Sequence, residues 1–560
     1  MSPTRPRRAR RLAGVGLYGG TMLEGSIGTL ALIDLWATGG RLAMGAVAVA
    51  AVLWLLRAAF RAPKAFAGVV AVSTVISQTA QTVTGSSAVG YMDELCVLLA
   101  VVLFTLRRLR DHGSVRCFAA LWLFLAFGLL GVLSGLVHSV PLGITVTGAF
   151  LFLKGPMLAF ALAQLEWRRE DIPGLIRGGA VAVVVILLFT AGNAAAPAAW
   201  NDFISAGTIE LSERGGIASL SGPFNHPVGL GTTMSLAFIA ILAYRSTIRR
   251  SRISLALLIG SGLACLLAFR RKSIASALVV SLGIRASLPG KKAMYLTSLA
   301  ILTPVALILG WDTLTRVVDA TLTEYLSDVS QTARIRLTLD SVPLALGAFP
   351  LGVGFGRFAS FTAAENYSPY YQELGYTRIW GMTGHDEVDF LSDTFWPAPL
   401  AETGVLGLLC YIGGLVMLGL PAWRMMRRSQ DQHLRWIGSV GVGWLAAMAI
   451  ESVAAPVFVA PPMYGLPFLL SGVVLALTAE PTTAAASVGA PEPVTAAGPA
   501  SASGPGSASE SVSASGAAIA PWASAAVTVP WAQGGPELVG PQPGRPDGSD
   551  PPESDPGRRA

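Results

Sequence analysis

CFAALWLFLAFGLLGVLSGLV, residues 117–137, runs for 21 residues without a charged side chain. About 20 apolar residues in α-helix cross the ~30 Å hydrocarbon core of a bilayer. A helix also satisfies its own backbone N–H and C=O groups, as lipid requires. A membrane barrel would instead show shorter segments of alternating polarity. The basic segment RRLRDHGSVR (107–116) stands immediately before the run. After one further apolar run comes EWRREDIPGLIR (166–177).

Outward from this segment the same punctuation recurs. Basic clusters stand at Arg5 to Arg11, RAAFRAPK (57–64), RSTIRRSR (245–252), RASLPGKK (285–292) and RMMRRSQDQHLR (424–435). Lys and Arg accumulate in cytoplasmic loops. Helices set between the clusters give spans near 14–34, 41–57, 66–84, 90–106, 117–137, 143–163 and 177–195. They continue near 226–244, 253–269, 273–288, 294–310, 399–420, 436–455 and 461–478. The expectation is an all-α, polytopic membrane bundle of 12–14 helices with both termini cytoplasmic. The spans at 14–34 and 66–84 are the weakest, being interrupted by small and polar residues.

Composition agrees. Of 560 residues 52% are hydrophobic and 13% charged, about half the roughly 25% charged of a soluble domain. Mean hydropathy is +0.58. Cys96, Cys117, Cys265 and Cys410 share no spacing, so neither a disulfide framework nor a metal site is expected, and no cofactor or nucleic-acid partner is implied. Residues 1–13 read as a retained basic cytoplasmic N-terminus, 14–310 as the first eleven helices and 399–478 as the last three. Residues 479–560, rich in Ala, Ser, Pro and Gly, read as a disordered cytoplasmic tail with too little apolar surface to fold.

The segment 311–398 is too long for a plain connection between helices. Its five arginines face eleven carboxylates, which suits the extracellular side that helix alternation gives it. Its aromatics either pack a small lid or stack on sugar rings, or else hold the loop on the membrane surface. The same alternation puts Arg270, Arg271 and Lys272 in an outward-facing turn, against the positive-inside bias. Charges kept at membrane depth are costly enough to imply function, and a phosphate or pyrophosphate would compensate them, since Arg grips phosphate in a bidentate fork.

Four segments resemble the O-antigen ligase and O-antigen polymerase family of membrane glycosyltransferases. LLAFRRKSIASALVVSLG (266–283) resembles the family's Ser-Arg helix start, although the serine is absent here. TARIRLTLDSVPLALGAFPLGVGFGRF (332–358) resembles its arginine-bearing helix leading to a Gly-x-Gly-x-Gly turn. SDTFWPAPLAETGVLGLL (392–409) is similar to the block closing in Glu-x-Gly-x-x-Gly, and SGPFNHPVGLGTTMSLAF (221–238) to the Gly-x-Phe-x-x-Pro helix entry.

The resemblance spans roughly 210–420. It implies a GT-C-like fold with one large extracellular loop, and metal-independent, inverting glycosyl transfer outside the membrane. The donor would be a glycan on undecaprenyl pyrophosphate. The acceptor would be a hydroxyl on a second glycan or lipid, with other polysaccharide-assembly proteins as partners. Arg271, with Arg270 and Lys272 beside it, matches one family arginine, and Arg334 or Arg336 the second. Lys154 matches a cationic position, either holding the same phosphate or pairing with Asp93 or Glu94. The base would be Asp393, nine residues before Glu402, or His385, seventeen before it. Glu402 either caps a helix or joins the site. Gly352, Gly354 and Gly356 supply tight turns and no nucleotide site. A lipid-linked-glycan flippase and a non-catalytic scaffold are the alternative readings.

Overall fold

The computed structural model describes residues 57, 60–205, 213–214, 217–288, 329–384 and 390–479. The spans expected near 14–34 and 294–310, all but the last residue of 41–57, the N-terminus 1–13 and the tail beyond 479 lie outside them. So do His385 and the loop residues 311–328 and 386–389.

The bundle is built from α1 Pro63–Thr84, α2 Met92–His112, α3 Ala119–Val137, α4 Leu142–Ala163, α5 Ile172–Ala195 and the short α6 Pro197–Ser205. It continues with α7 Pro227–Thr247, α8 Arg252–Leu267 and α9 Arg271–Ser287. After α10 Val329–Gly347 and two single-turn helices, α11 Phe361–Glu365 and α12 Pro369–Glu373, come α13 Pro397–Arg428, α14 Gln432–Glu451 and α15 Gly465–Ala479. A two-residue antiparallel pairing, Glu213–Arg214 with Ile217–Ala218, is the strand content among the described residues.

Local chemistry sets the helix ends. Pro63, Pro227 and Pro397 open α1, α7 and α13, where a missing N–H costs nothing. Gly85 and Gly113 close α1 and α2 in the left-handed conformation. The Asp431 carboxylate accepts from His433 N (2.8 Å) and Leu434 N (3.0 Å) at the start of α14.

Six helices (α1, α3, α4, α5 with its lead-in turn from Arg169, α7 and α13) are long and apolar enough to cross a membrane. The chain is a multi-pass helical membrane protein. Trp122, Leu129, Val181 and Leu188 stay more than half exposed on α3 and α5, a surface that water would not tolerate and lipid covers. α4 and α7 are the most enclosed of the six and α5 the least.

The helix ends sort into two sets. At one, Lys64 meets Asp171 (2.6 Å), His112 meets Glu166 (2.8 Å), Arg169 pairs with Asp431, and Arg427 Nη1 donates to Ser287 O (3.1 Å). This basic end gathers the punctuation clusters of the described residues. At the opposite, loop end, Asn225 N donates to Thr79 Oγ1 (3.1 Å) and Phe395 N to Ser452 O (3.1 Å).

Two features depart from the sequence reading. The described residues of the segment 311–398 hold α10, α11 and α12 rather than bare loop, and aromatic side chains among them are sunk into the bundle. Phe355 and Phe395 are fully buried in a cluster with Phe127, Phe152, Tyr411 and Phe458, with ring centroids 5.1–5.9 Å apart for Phe127–Phe355, Phe152–Phe395, Phe395–Tyr411 and Phe395–Phe458. Helices in lipid gain little from burying apolar surface against one another and depend on such packing, and each aromatic pair adds ~0.5–1.5 kcal/mol. Second, α9 begins at Arg271, so the three cations form its N-cap and first turn rather than a linking turn.

Candidate functional site

At the loop end, α9 starts with Arg270 as N-cap and Arg271 and Lys272 in its first turn. A helix N-terminus carries partial positive charge, so cations there are unfavourable without a compensating anion. Arg270 lies close on α7, where a Cβ on Gly231 would stand 3.3 Å from its own. Lys272 Nζ donates to Ala454 O (3.2 Å), just past the end of α14. Arg271 is exposed.

Asp393 completes this cluster from the loop. Its carboxylate pairs with Arg334 of α10, and each side chain is three-quarters buried. Burial pushes the Asp393 carboxyl above its ordinary range, against the pull of Arg334, Lys272 and Arg270. The residues after it are stapled to the end of α14: Thr394 Oγ1 donates to Val453 O (3.0 Å) and Trp396 Nε1 to Ser452 Oγ (2.9 Å). The structure thus brings Arg270, Lys272, Arg334 and Asp393 together from positions up to 123 apart in the sequence.

His226 borders the group. Its Nδ1 accepts from Val228 N (3.1 Å) as the cap of α7. Burial, with Arg270 and Lys272 nearby, lowers its imidazole to about 4, so it stays neutral near pH 7.

Arg336 turns elsewhere, toward Asp340 at 4.0 Å, which also accepts from Tyr376 OH (2.8 Å). Of the two arginines in TARIRL, Arg334 is the one that meets Asp393.

Glu402 is fully buried beside the glycine turn. Its Oε1 accepts from Arg357 N (2.9 Å), Phe358 N (3.0 Å) and Ser360 Oγ (2.7 Å). Val353 N and Gly354 N donate to the carbonyls of Ala401 and Glu402. Contact is close because both partners are glycine: a Cβ on Gly352 (φ 77°) would lie 2.4 Å from Gly404 N. Gly404 itself (φ 69°) breaks the helical path of α13. Glu402 therefore holds the 352–360 turn in place.

Lys154 stands apart from the arginines. It is buried in α4, 3.1 Å from Glu94 Oε1 and 3.7 Å from Asp93 Oδ2, with its ammonium 4.9 Å from the Tyr464 ring centre. Tyr464 OH donates to Asp93 Oδ2 (2.7 Å). The ion-pairing alternative for Lys154 is thus the arrangement observed. Two carboxylates outweigh its charge, which removes the incentive for a phosphate there.

Glu451, absent from the sequence reading, is fully buried where α7, α9 and α14 meet. Ser276 Oγ (2.8 Å) donates to its Oε1, while Ser273 Oγ (3.1 Å) and Thr232 Oγ1 donate to its Oε2. It also attracts Lys272 electrostatically. A carboxylate closing the apolar run WLAAMAIES was the available signal. Among the described residues no group of three His, Cys, Asp or Glu could hold a metal ion.

The fold and this cluster define a multi-pass helical membrane protein with a cationic site at one end of its bundle. No protein-family model matches the chain, and no curated protein matches it.

Proposed function

We propose that this protein is a polysaccharide polymerase or ligase, transferring a glycan from a polyprenyl-pyrophosphate donor to a hydroxyl acceptor at the loop end of the bundle. The observation that carries the reading is the Arg334–Asp393 pair gathered with Arg270 and Lys272. A departing lipid pyrophosphate accumulates negative charge, and fixed cations are what its transition state most needs.

In this reading the donor pyrophosphate draws Arg334 away from Asp393 and is held by Arg334, Arg270 and Lys272. Asp393, released from its partner, accepts the acceptor hydroxyl's proton. The acceptor oxygen bonds to the anomeric carbon as the bond from that carbon to the pyrophosphate oxygen breaks, and the electron pair leaves with the lipid pyrophosphate. Attack opposite the leaving group inverts the anomeric centre. The positive-inside bias assigns the basic end to the cytoplasm and this chemistry to the outer face.

The test is transfer by the full-length protein in lipid nanodiscs, supplied with a synthetic polyprenyl-pyrophosphate glycan and followed by chromatography of the products. Wild type yields a longer or transferred glycan, and Arg334→Ala lowers the rate on the order of 10²–10³-fold, the worth of one transition-state charge contact. Absence of product from wild type, with donor moved between leaflets of proteoliposomes, would instead identify a flippase.

A further inference from the structure

The basic end contains a recess of about 450 Å³ between the start of α1, the last turn of α2, the end of α4 and the lead-in to α5. That volume lies within the ~300–1,000 Å³ of small-ligand sites. Its walls are charged. Lys64 is matched by Asp171 (2.6 Å), Arg107 by Asp111 (3.4 Å), and Arg168 by Glu166 (3.7 Å), which His112 also meets. Every carboxylate of the recess is therefore engaged by a cation.

Arg108 is the remainder. It lines the same recess, and its Nε and Nη1 are out of solvent without a hydrogen-bond partner. No carboxylate stands in an ion pair with it among the described residues. Its neighbours differ: Arg107 Nη1 donates to Phe60 O (2.6 Å), and Arg110 pairs with Asp111 (2.8 Å). A guanidinium is always charged and carries five donors, and leaving such donors dry and unpaired is costly. Guanidinium N–H groups are donors that the oxygens of a tetrahedral phosphate accept.

We infer that this recess is a second site, at the end opposite the proposed chemistry, which binds a phosphate-bearing anion through Arg108, with Lys64 and Arg168 at its rim. The chemistry fits an anionic phospholipid headgroup, since basic pockets between helices at the cytoplasmic face accept these, and equally a free phosphate. The site does not depend on the glycosyl-transfer reading and stands if that reading fails.

The test uses the full-length protein in nanodiscs and reads its thermal midpoint. In phosphatidylcholine discs inorganic phosphate is titrated; in a second arm part of the phosphatidylcholine is replaced by phosphatidylglycerol. Stabilisation that saturates with free phosphate assigns a soluble ligand, and stabilisation with phosphatidylglycerol alone assigns the headgroup. In either case Arg108→Gln weakens the response about ten- to a hundredfold in apparent affinity, as for loss of one charge-assisted contact, while Arg110→Gln preserves it. Should Arg108→Gln fail to fold, Arg168→Gln, altered at the rim, must weaken the same response. No stabilisation of wild type in either arm, or an undiminished response in Arg108→Gln, overturns the proposal.

Discussion

Asp393 and Asp431 each stand near a helix start beside an arginine, at opposite ends of the bundle, and their carboxyls are shifted in opposite net directions. At Asp393 burial raises the carboxyl, and Arg334, Lys272 and Arg270 do not bring it back. At Asp431 burial also raises it, but the N–H groups of Leu434 and His433, with Arg169, outweigh that and hold it below the ordinary range. The partners differ too: Arg169 is 58% exposed and Arg334 25%. Charge around Asp431 serves a helix cap and an ion pair in contact with water that screens it. Charge around Asp393 is enclosed and its carboxyl is shifted upward, the kind of perturbation that clusters at functional sites.

The contrast can be broken most sharply at Asp393. Asp393→Asn is expected to cut glycan transfer by ~10²–10⁴-fold, the range of a general base. In wild type the rate is full above the Asp393 pKa and falls as pH drops through it. Because that pKa is raised, the fall begins at higher pH than for an ordinary aspartate. A pH–rate profile of transfer checks this, and one without a limb in that region would remove Asp393 from the base role.

Glu402 sharpens the comparison next. Glu402→Ala leaves Arg357 N, Phe358 N and Ser360 Oγ without their acceptor, at about 1–3 kcal/mol for each stranded donor. Thermal unfolding should show a large loss or no recoverable protein. Glu402→Gln keeps an acceptor oxygen and should retain both fold and transfer; an inactive but folded Gln variant would place Glu402 in the chemistry instead.

Effects at the basic end are smaller. Asp431→Ala removes the α14 cap and costs about 1 kcal/mol. Since the folded Asp431 pKa is depressed, its stabilisation is present above the unfolded carboxylate range and disappears as pH falls through the folded value, so wild type and variant should converge in acid melts. Lys64→Met, breaking an ion pair exposed by 38% and 26%, should shift thermal stability by no more than about 1 kcal/mol in discs without phosphate or anionic lipid.

Much of this architecture was legible because lipid imposes a one-dimensional rule: apolar runs of fixed length, punctuated by arginine. That rule placed the eleven expected spans that fall on described residues on observed helices, closely for 143–163 and 226–244 but short at the ends of Met92–His112 and Pro397–Arg428. It also put Arg270 and Lys272 at the same end as Asp393, and these side chains do lie together. Local backbone chemistry was readable as well, since GVGFG needs positive φ at three glycines and has it. Long-range pairing was not. The sequence around TARIRL left Arg334 and Arg336 as alternatives; the choice is made by Asp393, 59 residues beyond Arg334. For Glu451 the apolar run marked the carboxylate but not its hydroxyl partners, which lie 175 to 219 residues away.

The staple between residues 394–396 and Ser452–Val453 couples more than backbone. Ala454, one residue further, takes the Lys272 ammonium. The acid and the lysine are thus moored to the same three-residue ledge at the end of α14. Any tilt of that helix carries both together, so the spacing between carboxylate and ammonium is preserved while their surroundings shift.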